Sequence, residues 1–289
     1  MRAYLSLIKF SHTIFALPFA FIGLALGFKD FGLFDWVLSI QVLLCMIFAR
    51  SAAMAFNRWA DVKYDKVNPR TNQREIPKGI ITEKNALVFV IINCIAFITT
   101  TYFINRICFY LSPVALIIIL GYSLTKRWTF LCHLFLGAGL SLAPIGAYLS
   151  VTGVFSVIPL LFSGIVFYWV AGFDIIYALQ DEEFDKAQKL FSIPSKFGKG
   201  NALKISRALH LFCALLLIFT SILMQRQYQE VNKMVMWLAT AFFICMLIYQ
   251  HLLVKPNDLS RVNLAFFTTN GVASVVYGSL IIANISEKL

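Results

Sequence analysis

Asn57, Asp61 and Asp65 recur every four residues in the stretch NRWADVKYDKVNPRTNQREIP, residues 57–77. On a continuous helix this spacing stacks two carboxylates and an amide oxygen on one face. Like charges four apart weaken a bare helix by roughly 0.2–0.5 kcal/mol, so the pattern calls for a positive partner. The same step returns 120 residues later as Tyr177, Asp181 and Asp185 in YALQDEEFD, with Asp61 mapping onto Asp181 and Asp65 onto Asp185. Bases follow each motif: Lys66, Arg70, Arg74, Lys78 and Lys84, broken by Pro69, Pro77 and Gly79, after the first; Lys186, Lys189, Lys196 and Lys199 after the second. Carboxylates beside arginines and lysines suit a diphosphate with bound Mg2+, because the hard cation takes oxygen ligands while the bases hold the outer phosphate oxygens. The metal offsets charge building on a departing diphosphate, so that an allylic carbon–oxygen bond ionises. Either motif alone also reads as a solvated helix end. Two copies at one offset favour a single site between two related halves.

The elements that carry these motifs are membrane helices. With 60% hydrophobic and 13% charged residues and a mean hydropathy of +0.78, the 289-residue chain is too apolar for an ordinary soluble domain. Nine apolar runs approach the ~20 residues that cross ~30 Å of hydrocarbon: 12–28, 36–56, 86–104, 107–125, 131–152, 156–178, 203–224, 234–254 and 262–285. They predict one membrane-embedded domain over residues 1–289. The first run follows Arg2 and Lys9 as a signal peptide would, but the eight further runs and the lack of a small-residue cleavage site make it a retained helix. Pro18 is expected to bend or interrupt it, and the basic lead 1–11 to lie along the membrane surface.

A net charge of +11 raises nucleic acid as a partner, but placement argues against it. Of 25 Lys and Arg, 19 fall at the N-terminus or in loops after runs two, four, six and eight. By the positive-inside rule the N-terminus and both aspartate motifs are cytoplasmic, and nine spans put the C-terminus outside. The opposite-side bases are Lys29, Arg106, Arg226, Lys233 and Lys288. The six cysteines, Cys45, Cys94, Cys108, Cys132, Cys213 and Cys245, lie in apolar runs without metal spacing and read as small core residues. His12, His133, His210 and His251, near span ends with no acid at ligand spacing, read as structural. Gly153 is expected to form a short turn between antiparallel helices. Phe and Met residues read as packing and lipid-facing surface, some of them lining whatever pocket takes an apolar chain.

Arg50 lies within the second run, two turns before Asn57, where an intramembrane Arg costs at least about 2.5–3.5 kcal/mol without a partner. Two readings stay open: an ion pair with Asp174 in the sixth run, or a binding group for an anionic substrate. The segment GYSLTKRWT, residues 121–129, adds Tyr122, Lys126 and Arg127 at the cytoplasmic end of the fourth run.

These motifs resemble the UbiA-type intramembrane prenyltransferases. Asn57-x-x-x-Asp61-x-x-x-Asp65 with Arg70 and Arg74 looks like the first aspartate-rich motif of that family, Asp174-x-x-Tyr177-x-x-x-Asp181-x-x-x-Asp185 like its second, and Tyr122, Lys126, Arg127 like its Y-x-x-x-K-R element. The resemblance covers essentially the whole chain. It implies an all-α bundle around a central cavity in a bacterial-type inner membrane, with two Mg2+ ions bridging diphosphate to Asn57, Asp61, Asp65, Asp181 and Asp185. Arg70, Arg74 and Lys126, with Tyr122 and Arg127 beside them, would hold diphosphate oxygens. The stretch 50–77 and DEEFDKAQKLFSIPSKFG are similar to bacterial members that prenylate aromatic acids for ubiquinone or menaquinone; RSAAMAFNR leans toward the futalosine-derived menaquinone branch. Arg58 departs from the pattern, since many members carry Asp directly after the first Asn, and this marks a subgroup.

The expected chemistry is transfer of a polyprenyl group from its diphosphate to the ring of a hydroxylated aromatic acid such as 4-hydroxybenzoate or a dihydroxynaphthoate. Arg50 would steady the acceptor carboxylate, Tyr122 or Tyr177 would face the allylic cation, and Asp174 is one candidate for the base that takes the ring proton. Haem or a lipid as the prenyl acceptor, and a secondary transporter with midplane charges, are the competing readings; against the transporter, the acids cluster at one membrane face. No protein partner is implied beyond substrates and the lipid bilayer.

Overall fold

The computed structural model describes residues 2–8, 15–32 and 34–286. His12, Lys9 and Lys288 lie outside the described residues, as does most of the lead beyond the short helix α1 (Arg2–Leu7). The remaining long elements are α2 (Leu17–Phe31), α3 (Trp36–Ala60), α5 (Glu83–Ile104), α6 (Arg106–Thr125), α7 (Cys132–Thr152), α8 (Val157–Ala178), α10 (Ile193–Gln227), α11 (Lys233–Leu253) and α12 (Asn270–Ser286). Two short helices, α4 (Val62–Asp65) and α9 (Glu182–Ala187), follow α3 and α8.

Side-chain caps set several starts. The Asp35 carboxylate accepts from the Val37 and Leu38 amides, the Asn105 amide oxygen from Cys108, and Ser192 and Ser195 form a reciprocal capping box at α10; each satisfies amides that a helix start leaves orphaned. Gly153 ends α7 at φ 68°, the left-handed turn expected of it.

Among the described residues eight helices are long and apolar enough to cross a membrane. The first expected run appears as the 15-residue α2, about 22 Å at 1.5 Å per residue, so the described helices include eight of full spanning length rather than nine. Pro18 does not interrupt this helix; it sits in the first turn, where its missing N–H costs no hydrogen bond. The protein is thus an all-helical, multi-pass membrane protein. Its core holds Trp169, Phe162, Phe19, Phe243 and Tyr277 while Ile92, Ile117 and Leu252 face outward, which is the all-round apolarity a helix needs when lipid replaces water. Cys132 and Cys213 are buried, but Cys245 is exposed on this apolar surface rather than in the core.

From α5 onward most consecutive long helices pack on one another, α3 packs on α5, and α2 is wedged against α7 and α12. Small residues allow the approach: a Cβ on Gly23 would overlap the backbone of Pro144, and one on Gly278 would overlap Pro18. α12 is entered through a π-helical segment, Leu264–Thr269. Asn270, fully buried, donates to the Phe266 carbonyl at 2.8 Å and accepts from Trp169 Nε1 at 2.8 Å and Gln250 Nε2 at 2.7 Å. One amide thereby ties α8, α11 and α12 together inside an apolar core, where unpaired polar groups are costly.

Candidate active site

Neither aspartate motif rides on an unbroken helix. α3 stops at Ala60 and α4 begins at Val62, leaving Asp61 at φ −92°, ψ 7°; α8 stops at Ala178, a 3-10 turn spans Leu179–Asp181, and Asp181 lies at φ −101°, ψ 3° before α9. This corrects the expectation of three side chains stacked on one continuous face. Both breaks fall in the sparsely populated bridge region where functional residues are often held.

The two motifs line one cavity of about 720 Å3 together with Arg70, Arg74, Lys126, Arg127, Tyr122, Tyr177 and Asp174. The positive partners that the carboxylates call for come from the chain itself. Arg74 Nη1 donates to both Asp65 oxygens at 2.7 and 2.8 Å. Lys126 Nζ reaches both Asp185 oxygens at 3.0 and 2.9 Å, and Ser192 Oγ donates to the same carboxylate at 2.8 Å. Arg70, from the loop after the first motif, forks onto Asp181 of the second through Nε at 3.0 Å and Nη2 at 2.6 Å, while its Nη1 donates to the Tyr177 hydroxyl at 2.9 Å. Asn57 Nδ2 donates to Asp61 at 3.2 Å. Arg127 lies 3.7 Å from Asp61, but its closest bond, 2.6 Å, goes to the Ala60 carbonyl, so it closes the end of α3 as much as it faces the cavity.

Burial and neighbours set the charges. Burial, reinforced by the neighbouring Asp65 carboxylate and opposed by Lys126, Arg127 and Arg74, raises Asp61 to about 6. Burial works against the charged form of Lys126, yet Asp185 and Asp181 beside it carry its pKa above the ordinary lysine value. Arg70 is likewise penalised by burial and held above its usual value by Asp181 and Tyr177.

Arg50 and Asp174 do not pair. Asp174 Oδ2 meets His133 Nδ1 at 2.6 Å, whereas Arg50 Nε is buried without a hydrogen-bond partner among the described residues. Arg50 instead sits, with Met54, Tyr122, Leu136 and Leu140, where the polar cavity joins a second, apolar one of about 400 Å3 between α3, α5, α6 and α7. Arg58 is buried beside Asp65 and Arg74 with its Nε and Nη1 unpartnered. Tyr177 stacks on Phe266 of the π-helical segment, ring centroids 4.1 Å apart, and lies under the Arg70 guanidinium at 5.3 Å. His133 and Ser192 carried no sequence signal, being a lone histidine and a common cap residue; Phe266 and Phe267 were indistinguishable from packing aromatics.

Asn57, Asp61, Asp65, Asp181 and Asp185 are the candidate metal ligands, an all-oxygen set that fits a hard cation. Among the described residues no group of three or more His, Cys, Asp or Glu is close enough to cage a metal alone. That arrangement fits Mg2+, which keeps waters and binds through one or two carboxylates plus substrate phosphates.

Residues 16–272 match the UbiA prenyltransferase family. The chain belongs to that family. It is 28% identical over 246 residues to the 4-hydroxybenzoate octaprenyltransferase of Aliivibrio fischeri strain MJ11, covering 85% of this chain and 83% of the relative, and 28% identical over 255 residues to that of Vibrio campbellii, covering 87% and 86%. The apo structure of a UbiA homologue from Aeropyrum pernix K1 superposes with a TM-score of 0.81 at 30% identity, over 94% of this chain and 97% of that one. A UbiA homologue from Archaeoglobus fulgidus, bound to GPP and Mg2+, shares the fold with a TM-score of 0.72 at 22% identity, over 98% and 99%. Family membership sets aside the transporter reading.

Proposed function

We propose that this protein transfers a polyprenyl group from polyprenyl diphosphate to the ring of an aromatic carboxylic acid, 4-hydroxybenzoate or a dihydroxynaphthoate, in ubiquinone or menaquinone biosynthesis. The observation that carries the proposal is the junction of two unlike compartments: a cavity lined by both aspartate motifs and their arginines and lysine opens, past Arg50 and Tyr122, onto an apolar chamber. The first suits a diphosphate and the second an isoprenoid chain, so the allylic carbon falls at their boundary. The names of the curated relatives support an aromatic acid as acceptor.

Asn57, Asp61, Asp65, Asp181 and Asp185 would hold Mg2+, which when bound supplies charge neutralisation to the leaving diphosphate. Arg70, Arg74 and Lys126 bind the outer diphosphate oxygens through charge-assisted hydrogen bonds. Tyr122 offers a ring face to the positive charge on the allylic carbon, which costs about 0.5–2 kcal/mol less beside a desolvated aromatic, while Tyr177, stacked on Phe266, holds the Arg70 guanidinium. The unpaired Arg50 guanidinium orients the acceptor carboxylate. The apolar chamber keeps water from the allylic cation and directs it to the ring. With the basic loops on the cytoplasmic side, diphosphate and aromatic acid reach the site from the cytoplasm and the chain from the bilayer.

The test is mass analysis of product from purified protein in lipid with polyprenyl diphosphate, Mg2+ and, in turn, 4-hydroxybenzoate, 1,4-dihydroxy-6-naphthoate, 1,4-dihydroxy-2-naphthoate and haem. A metal-dependent adduct with one acid, lost with EDTA and in Asp181→Ala, supports the proposal. An adduct with haem alone overturns the acceptor class.

A further inference from the structure

Within the cavity, the acids of the two metal motifs are committed: Asp65 to Arg74, Asp181 to Arg70, Asp185 to Lys126 and Ser192, Asp61 to Asn57 and Arg127. Asp174 is not. Its Oδ2 is held by His133 Nδ1 at 2.6 Å, and its Oδ1 accepts no hydrogen bond among the described residues. His133 is 1% exposed and its other ring nitrogen, Nε2, faces the Ile193 amide at 3.4 Å. A backbone N–H can only donate, so Nε2 is the acceptor and the ring proton resides on Nδ1, aimed at Asp174. His133 therefore orients the carboxylate and leaves one oxygen of Asp174 toward the cavity.

The position of that oxygen matters as much as its freedom. Asp174 precedes Asp181 by two helical turns, about 10 Å deeper along α8 at 1.5 Å per residue. His133 heads the α7 face whose later members, Leu136 and Leu140, line the passage into the apolar chamber. The pair thus lines the diphosphate cavity on the side where Leu136 and Leu140 lead into the apolar chamber.

We propose that Asp174, positioned by His133, is the base that restores aromaticity to the prenylated ring. This rests on the aromatic-acceptor reading above. The allylic carbon–oxygen bond breaks with its electron pair leaving on diphosphate. A ring π pair forms the new carbon–carbon bond, and the ring carbon–hydrogen bond then breaks, its electrons closing the aromatic sextet and its proton passing to Asp174 Oδ1. Asp174 is the catalytic residue in this step and His133 a positioning residue, its Nδ1–H fixed by the start of α10.

The experiment compares Asp174→Asn, His133→Leu and His133→Gln with the wild type, using acceptor deuterated at the reacting ring carbon. Proton loss from such a ring is fast when a base is present, so the wild type gives an isotope effect near unity. Asp174→Asn is expected to lower turnover about 10²- to 10⁴-fold, the usual worth of a general base, and to show a primary isotope effect well above unity. Thermal unfolding of Asp174→Asn in detergent at the wild-type midpoint reports an intact fold. His133→Leu is expected to lower kcat with KM little changed and to raise the isotope effect, and His133→Gln, which keeps a donor, to recover part of both. Wild-type turnover in Asp174→Asn overturns the proposal and hands the proton to the leaving diphosphate. Lost turnover with an isotope effect still at unity overturns it too, as a binding or first-step role. A wild type that prenylates no aromatic acid defeats the parent reading, a failure distinct from the others because it needs no variant.

Discussion

Asp61 and Asp181, 120 residues apart, share one backbone geometry: φ −92°, ψ 7° at the first and φ −101°, ψ 3° at the second. A sequence offset has become a conformational one. Each aspartate is the joint between a spanning helix and a short helix that lies beyond it, so each motif's two carboxylates leave the backbone from differently directed segments. That bend lets the pair wrap a ligand rather than form a column, and Arg70 then bridges from the first motif's loop to Asp181.

Removing that bridge is the sharpest test of the site. Arg70→Ala removes a fork of charge-assisted hydrogen bonds worth about 1.5–3 kcal/mol, so kcat/KM for the prenyl diphosphate should fall roughly 10- to 150-fold. Arg70→Lys should recover only part, since an ammonium cannot form the fork. Steady-state kinetics with the diphosphate varied checks both.

The half-buried Asp61 would make metal binding proton-linked. Its pKa is raised to about 6, by burial first and by Asp65 second, so its ionised form is the costly one. Stability from this group is greatest at low pH, where Asp61 is neutral, and is lost as pH climbs through about 6. Mg2+ needs the carboxylate and should bind more weakly below that pH, releasing protons as it binds. Calorimetry of Mg2+ and diphosphate binding near pH 6, in buffers of different ionisation enthalpy, should detect that release, and Asp61→Asn should diminish it.

The apolar chamber predicts chain-length control. A Cβ on Gly146 would meet nothing within 4 Å, and Gly146 lines the chamber. Gly146→Phe should therefore fold normally while occupying space the isoprenoid needs. Competition between long and short prenyl diphosphates should shift at least about tenfold toward the short one, each 1.4 kcal/mol of lost contact being one decade. An unchanged preference would mean that the chain lies elsewhere.

The wedge of α2 predicts a purely structural phenotype. In Gly23→Ala the added methyl would overlap the Pro144 backbone, forcing α2 and α7 apart at a cost of about 1–3 kcal/mol. Thermal unfolding in detergent should drop, with the Mg2+ dependence of the remaining activity unchanged.

Much of this was legible in the sequence because it rests on local pattern. Apolar runs of spanning length located the helices: α6, expected over 107–125, occupies Arg106–Thr125, whereas α10, expected over 203–224, runs from Ile193 to Gln227. The four-residue steps located the carboxylates, since a motif and its bases are neighbours in the chain. What failed were relationships between distant segments. Nothing in the spacing told Arg50 from His133 as the partner of Asp174, 41 residues from His133 in sequence, because hydrogen bonding in a membrane core is decided by which helices touch. The bend at Asp61 was equally hidden, as no Gly or Pro marks it. The prolines that are present misled in the other direction, Pro18 opening a helix it seemed fit to break.

The π-helical turn at Leu264–Thr269 acts as a phase shifter. A residue added to one turn rotates everything beyond it by about 100° relative to an ordinary α-helix, whose 3.6 residues complete a circle. Within this turn Phe266 and Phe267 face the diphosphate cavity; beyond it, Gly278 faces the close contact with Pro18. No helix of uniform pitch satisfies both, so deleting one residue from this turn sacrifices either the aromatic wall of the cavity or the seat of α2.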